Sequence, residues 1–157
     1  LSLMRLHMHK APGRGIHGNK SLQKKVLSKL PFKLTSSQLA SGEEITNDMA
    51  SNTRMLRLLQ GDVGSGKTVV ALMAMLCAVE AGTQSVLMAP TEILARQHFA
   101  TLQPLAEAAG MTIALLTGRD KGKTREAILA QLADGSLNLM LNNYKDLLPV
   151  MGGVAAL

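Results

Sequence analysis

The octapeptide Gly61-Asp62-Val63-Gly64-Ser65-Gly66-Lys67-Thr68 fits the pattern G-x-x-x-x-G-K-[ST]. That spacing suits phosphate capture. Its glycines let the backbone curl so that successive N–H groups face one anion, beside the positive end of the following helix. Lys67 would reach the β- and γ-phosphates of a nucleoside triphosphate as a point charge, and Thr68 would offer its hydroxyl to Mg²⁺. Such a loop needs a strand before it and a helix after it. Met55–Leu59 is a short strand-like run, and the apolar stretch Val69–Val79 can continue as a helix. The octapeptide therefore predicts a triphosphate site rather than a bare Gly-rich turn.

Two more turns carry polar groups suited to anions. Ala89-Pro90-Thr91-Glu92 ends one predicted strand and opens a helix, so Thr91 can cap that helix while neighbouring N–H groups stay available to a phosphate. A plain helix cap is the simpler role for Thr91, and the two are compatible. Leu116-Thr117-Gly118 offers a second hydroxyl and amide of the same kind. Arg96 lies one helical turn past Thr91, and Arg119, Lys121, Lys123 and Arg125 could track a nucleic-acid backbone. All five cations read equally well as an ordinary solvated face. His7, His9 and His17 have no nearby Cys or acidic partner and are not expected to bind metal.

The elements that must position these turns alternate. Ser21–Leu30 has apolar residues at helical spacing and stops at Pro31, and a further helix is predicted from Gln38 to about Ala50. Strands are predicted at Met55–Leu59, Ser85–Met88, Met111–Leu116 and from Leu137 to Leu141. Helices fall between them at Lys67–Ala81, Glu92–Ala109 and Thr124–Ala133, ended by Gly82, Gly110 and Asp134-Gly135. This rhythm implies an α/β fold, a parallel sheet wrapped by helices, with ligands at the carboxyl ends of its strands. All three polar turns are expected on that rim. Ala11–Asn19 reads as a Gly/Pro-rich linker.

Charge is uneven along the chain. Residues 1–42 carry eight Lys or Arg and no Asp or Glu, whereas the remainder carries nine basic and eleven acidic residues. The net charge of +6 thus comes from the N-terminal quarter. A polyanion partner, nucleic acid above all, or a solvated basic linker would each account for it. The single cysteine, Cys77, excludes an internal disulfide, suits a reducing cytosol and reads as a buried core thiol. No apolar run reaches the length of a membrane span, and no secretory pattern precedes the first helix. With Phe32, Phe99 and Tyr144 as the aromatics, base stacking is not expected to carry DNA binding.

Taken together, the three turns resemble motifs I, Ia and Ib of superfamily 2 helicases. Gly61–Thr68 corresponds to the first, Ala89-Pro90-Thr91-Glu92-Ile93-Leu94-Ala95-Arg96-Gln97 to the second and Leu115-Leu116-Thr117-Gly118 to the third. Leu30-Pro31-Phe32-Lys33-Leu34-Thr35-Ser36-Ser37-Gln38 is similar to the adenine-reading segment of the RecG branch-migration helicases, and Leu116–Lys123 points the same way. The likeness runs from Leu30 to about Asn138. It implies an ATP- and Mg²⁺-dependent motor that remodels branched DNA, stalled forks and four-way junctions, in recombination and repair. The implied architecture is a DNA-gripping wedge followed by two RecA-like P-loop NTPase lobes. Residues 1–29 would be the basic helical piece toward the wedge, and 30–139 most of the first lobe. The resemblance implies that Gln38 reads adenine and that Phe32 stacks on it or serves as a core aromatic. It implies that Gly61–Thr68 hold the triphosphate. It also implies that Pro90, Thr91, Glu92, Arg96, Thr117 and Gly118 meet DNA phosphates without reading sequence, in a cytoplasmic monomer.

Beyond Asn138 the family pattern continues toward a Gly-Thr-His turn and an Asp-Glu-x-His box. Here residues 139–153 read LMLNNYKDLLPVMGG, with Asp146 alone and Pro149 breaking the segment. A truncated or frame-shifted gene product is the expectation for 140–157, and with it a lobe that binds nucleotide but hydrolyses it poorly. A P-loop module that was never a motor, or an inactive piece, are the other readings. A P-loop kinase would lack the Ala-Pro-Thr-Glu run.

Overall fold

The structure, a computed structural model, describes residues 12–143 and the backbone of Ala155 and Ala156. His7 and His9, and the tail residues Tyr144, Asp146 and Pro149, lie outside the described residues. The chain forms two compact units, the described parts of Leu1–Gln23 with Pro31–Ala81 and of Lys24–Leu30 with Gly82–Leu157.

The first unit is helical. Helix α1 (Ser21–Leu27), whose residues from Lys24 on belong to the second unit, begins where the Asn19 side chain accepts from the Ser21 amide at 3.0 Å. Helix α2 (Ser36–Ala50) starts at a reciprocal cap. The Thr35 hydroxyl accepts from the Gln38 N–H at 3.2 Å, and the Gln38 side-chain oxygen accepts from the Thr35 N–H at 2.9 Å. Helix α3 (Lys67–Glu80) is apolar on almost every side and buried from Val69 to Ala78 except at Ala71, as a helix without a polar face must be. Val70, Ala74, Cys77 and Ala78 of α3 pack with Ile45 and Met49 of α2, and Ile16, Met55 and Leu59 close the cluster.

Residues 12–20 lie against this pair. Pro12 bridges Thr53, and the Gly13 and Ile16 amides donate to Asn52 O and Met49 O, each at 2.8 Å. A Cβ on Gly13 would stand 2.6 Å from the Thr53 carbonyl carbon, and one on Gly18 would stand 3.1 Å from the Cys77 Cα. Those glycines therefore permit close backbone approach. At the far end of α3 the Glu80 carboxylate accepts from the Lys20 amide at 2.8 Å and the Leu22 amide at 2.5 Å, a negative group at the positive start of α1.

Met55–Leu59, expected as a strand, is not one. It pairs with no strand among the described residues. Its alternation is nevertheless real: Met55 and Leu59 reach the helical core, while Leu56 and Leu58 are 42% and 67% exposed. Side-chain periodicity establishes which face is buried; a ladder also needs a partner backbone.

The second unit is a parallel sheet. Strands β1 (Ser85–Ala89), β2 (Ile113–Leu116) and β3 (Leu139–Asn143) lie in the order β2-β3-β1, and the two-residue β4 (Ala155–Ala156) pairs with the other side of β1. The register sets Ser85 and Ile113 both opposite Leu139. Even-numbered residues Val86, Met88, Ala114, Leu116 and Met140 thus share one face, where they pack with Ile128, Leu129 and Leu132 of helix α5 (Gly122–Ala133). Helix α4 (Glu92–Ala108) runs along all three longer strands and buries Ala95, Leu102 and Ala106. Strand–helix–strand connections of this kind define a parallel α/β fold. Among the described residues no helix is long and apolar enough to cross a membrane.

Candidate functional site

The phosphate loop belongs to the first unit. Its turn is closed by the Ser65 N–H donating to Asp62 O at 3.1 Å, and Gly64 and Gly66 take φ of 82° and 79°. Only glycine adopts that region without strain. Gly66 is the residue before α3, and no side chain caps the helix there. Gly61 is also constrained: a Cβ would stand 2.7 Å from the Ser65 hydroxyl. Val63 is fully exposed at the tip, and Thr68 follows Lys67 in the first turn of α3.

The Lys67 side chain folds over its own loop. Its Nζ donates to Gly61 O at 2.6 Å and Asp62 O at 2.7 Å, with the Ser65 hydroxyl at 3.5 Å. These partners are neutral, so they satisfy the ammonium geometrically and leave its charge uncompensated. A phosphate oxygen would bring the opposite charge to the same donors.

Gln38 reaches this loop from the start of α2. Its Oε1 is held by the Thr35 amide, and its Nε2 donates to Ser65 O at 2.8 Å. A Cβ on Gly66 would collide with that Nε2. The carboxamide is thus engaged at both ends, tying the helix cap to the phosphate loop. Phe32, the other residue expected near adenine, is 50% exposed. Arg57, just upstream, joins Asp48 at 2.7 Å and Glu44 at 2.6 Å. The hydrogen bonds to Asp48, then to Glu44, raise its pKa above the usual arginine value. A cavity of about 330 Å³ lies beside Asp48, Thr53 and Met55–Leu58 rather than at the phosphate loop. Two of its walls, Asp48 and Arg57, are already paired with each other.

The second unit brings the other two turns together. β1 and β2 flank β3, with Ala89 opposite Asn143 and Leu116 opposite Asn142, so the turns after them share the carboxyl edge of the sheet. Thr91 caps α4, its hydroxyl accepting from the Leu94 N–H at 3.2 Å. Glu92 stands in the first turn and meets Arg96 at 2.8 Å and Arg119 at 3.3 Å. Thr117 is wholly buried, and its polar groups are taken: the Asp120 carboxylate accepts from its N–H at 2.7 Å and its hydroxyl at 3.0 Å. Gly118, Arg119, Lys121 and Lys123 are exposed.

Beneath this edge sits an unsatisfied group. Asn142 is fully buried, and neither atom of its carboxamide has a hydrogen-bond partner among the described residues. Among the described residues no group of His, Cys, Asp or Glu is arranged to hold a metal ion. Sequence reasoning missed Asp120 and the reach of Glu92 to Arg119. The first had a signal, a Thr with Asp three residues on, which is a turn-forming spacing. The second had none, because it joins residues of separate connections.

A family model described as DEAD/DEAH box helicase matches residues 35–151. Among curated relatives, the ATP-dependent DNA helicase RecG of Staphylococcus aureus is 49% identical over 121 residues, 77% of this chain and 18% of that protein. RecG of Bacillus subtilis is 48% identical over 118 residues, 75% of this chain and 17% of its own length. RecG of Streptococcus pneumoniae is 47% identical over 138 residues, 87% and 20% respectively. A solved structure of RecG bound to a three-way DNA junction superposes with a TM-score of 0.80 at 39% identity. It covers 90% of this chain and 20% of that one. The chain therefore spans about a fifth of the length of the relatives it matches.

Proposed function

Because the chain belongs to the DEAD/DEAH box helicase family and is of the RecG type, we propose that it forms the ATP-binding lobe of a DNA helicase. That motor would remodel branched DNA, stalled forks and four-way junctions among them, in recombination and repair. The observation that carries this reading is the loop Gly61–Thr68, which delivers Lys67 and Thr68 to the uncapped start of a buried helix. Residues of this kind fit Mg²⁺-ATP: positive-φ glycines, a lysine held by neutral oxygens of its own loop, and a threonine hydroxyl as the Mg²⁺ ligand. Bound Mg²⁺-ATP supplies the phosphoryl group whose transfer drives the motor. This chain's part is to grip and orient it. Gln38 sets the loop's conformation from the α2 cap and contacts adenine together with Phe32.

DNA phosphates would lie along Pro90, Thr91, Arg96 and Gly118, gripped without regard to sequence. The similar RecG structure is bound to a three-way junction, which supports a junction as substrate. The lobe works as a cytoplasmic monomer in this reading. On its own it holds ATP without turning it over, because the sequence has no Asp-Glu-x-His run to anchor Mg²⁺ and orient water. Loss of one preorganised group alone typically costs about 10²–10³ in rate. A phosphate-release assay with and without a three-way junction should stay at background. A DNA-stimulated rate abolished by Lys67→Ala would show instead that the chain completes a hydrolytic site.

A further inference from the structure

The edge proposed above for DNA is already occupied by the protein's own anions. Three guanidinium contacts converge on one atom, Glu92 Oε1. Arg96 approaches it through Nε at 2.9 Å and NH2 at 2.8 Å, and Arg119 through Nε at 3.3 Å. One anionic oxygen facing two guanidinium groups is the coordination a DNA phosphate oxygen receives. Glu92 is the more enclosed partner, its side chain 22% exposed against 50% for Arg96 and 80% for Arg119. The two arginines are therefore gathered around a fixed carboxylate rather than the reverse. Two positive charges on one negative leave the cluster with a net charge of +1, so it still attracts a polyanion.

We infer that Glu92 is a positioning residue, the internal counter-anion of this DNA edge. It pre-arranges Arg96 and Arg119 as a phosphate would, and gives them up when a DNA phosphate arrives. The inference rests on the reading of this edge as a DNA surface and assigns Glu92 the opposite of a direct contact. Asp120 repeats the arrangement next door, its carboxylate holding the N–H and hydroxyl of Thr117. Self-neutralisation of this kind keeps affinity for any one stretch of duplex low, which a protein that must move along DNA requires.

The test is the salt dependence of binding to a dye-labelled three-way junction, measured for the whole chain and for Glu92→Gln, Arg96→Ala and Arg119→Ala. With the folded fraction followed by circular dichroism at each salt concentration, the slope of log affinity against log salt remains readable for a variant that folds incompletely. Glu92→Gln should bind more tightly at low salt, with a slope steeper by about 0.9 for each phosphate gained. That corresponds to roughly threefold more affinity lost between about 50 and 200 mM salt per added contact. Each arginine variant should bind more weakly, with a shallower slope. A purely structural Glu92 would leave the slope unchanged. Unchanged or weaker binding by Glu92→Gln, with the arginine variants still impaired, overturns the inference and leaves the DNA edge standing. Wild-type behaviour in all three variants overturns the DNA reading of this edge and the inference with it.

Discussion

The phosphate loop of the first unit and the sheet edge of the second hold their anion-seeking groups in opposite ways. In the first, Lys67 rests on the carbonyls of Gly61 and Asp62, and Gln38 holds Ser65 O, so every partner is neutral. In the second, Arg96, Arg119 and Thr117 rest on the carboxylates of Glu92 and Asp120. A neutral acceptor yields to a charged one at little cost, because ion–dipole contacts give way to charge-assisted bonds. A carboxylate competes with an incoming phosphate on equal terms. The first arrangement suits a ligand to be held firmly. The second suits one to be held and let go.

The contrast extends to stability, where the largest effect is expected in the second unit. The Asn142 carboxamide is buried without a partner among the described residues, beside the strand positions of Met88 and Leu116. Asn142→Val removes that polar group, and its branched side chain suits a central strand. It should stabilise the second unit by about 1–3 kcal/mol and leave nucleotide affinity unchanged. Chemical denaturation followed alongside nucleotide titration checks both halves. A loss of stability would mean that the carboxamide is satisfied.

A smaller effect is expected from Gln38→Ala in the first unit. It removes half of the reciprocal cap and the bond to Ser65 O, and should cost about 1 kcal/mol of stability. Nucleotide should then bind more weakly, while the salt slope for DNA stays as in the wild type. A change in that slope would blur the division between the two regions.

Much of this was legible in the residues. The short apolar runs around Val86–Met88, Ile113–Leu116 and Leu139–Leu141 mark buried parallel strands, and the glycines of the phosphate loop mark a turn that bends through positive φ. Helix starts were readable wherever a cap is local, as at Thr91, and less sharply at Thr35, where α2 begins two residues before the expected Gln38. Met55–Leu59 failed because its pattern reports one buried face but not whether another strand lies alongside. The expected linker Ala11–Asn19 forms no helix or strand in its described part, yet its glycines do more than join elements. Gly13 and Gly18 look like flexible-chain residues, yet each is a point where backbone presses on backbone. The Arg119–Glu92 contact depends on where two turns meet, which no local spacing encodes.

The central claim is that Gly61–Thr68 is a nucleotide cradle whose charge comes from Lys67. Calorimetric titration of the whole chain with Mg²⁺-ATP, beside Lys67→Ala, tests it most directly. Saturable binding is expected in the wild type, weakened by about 1.5–3 kcal/mol in the variant through loss of hydrogen bonds to a charged partner. Equal affinities for the two proteins, or no binding by the folded wild type, would contradict it.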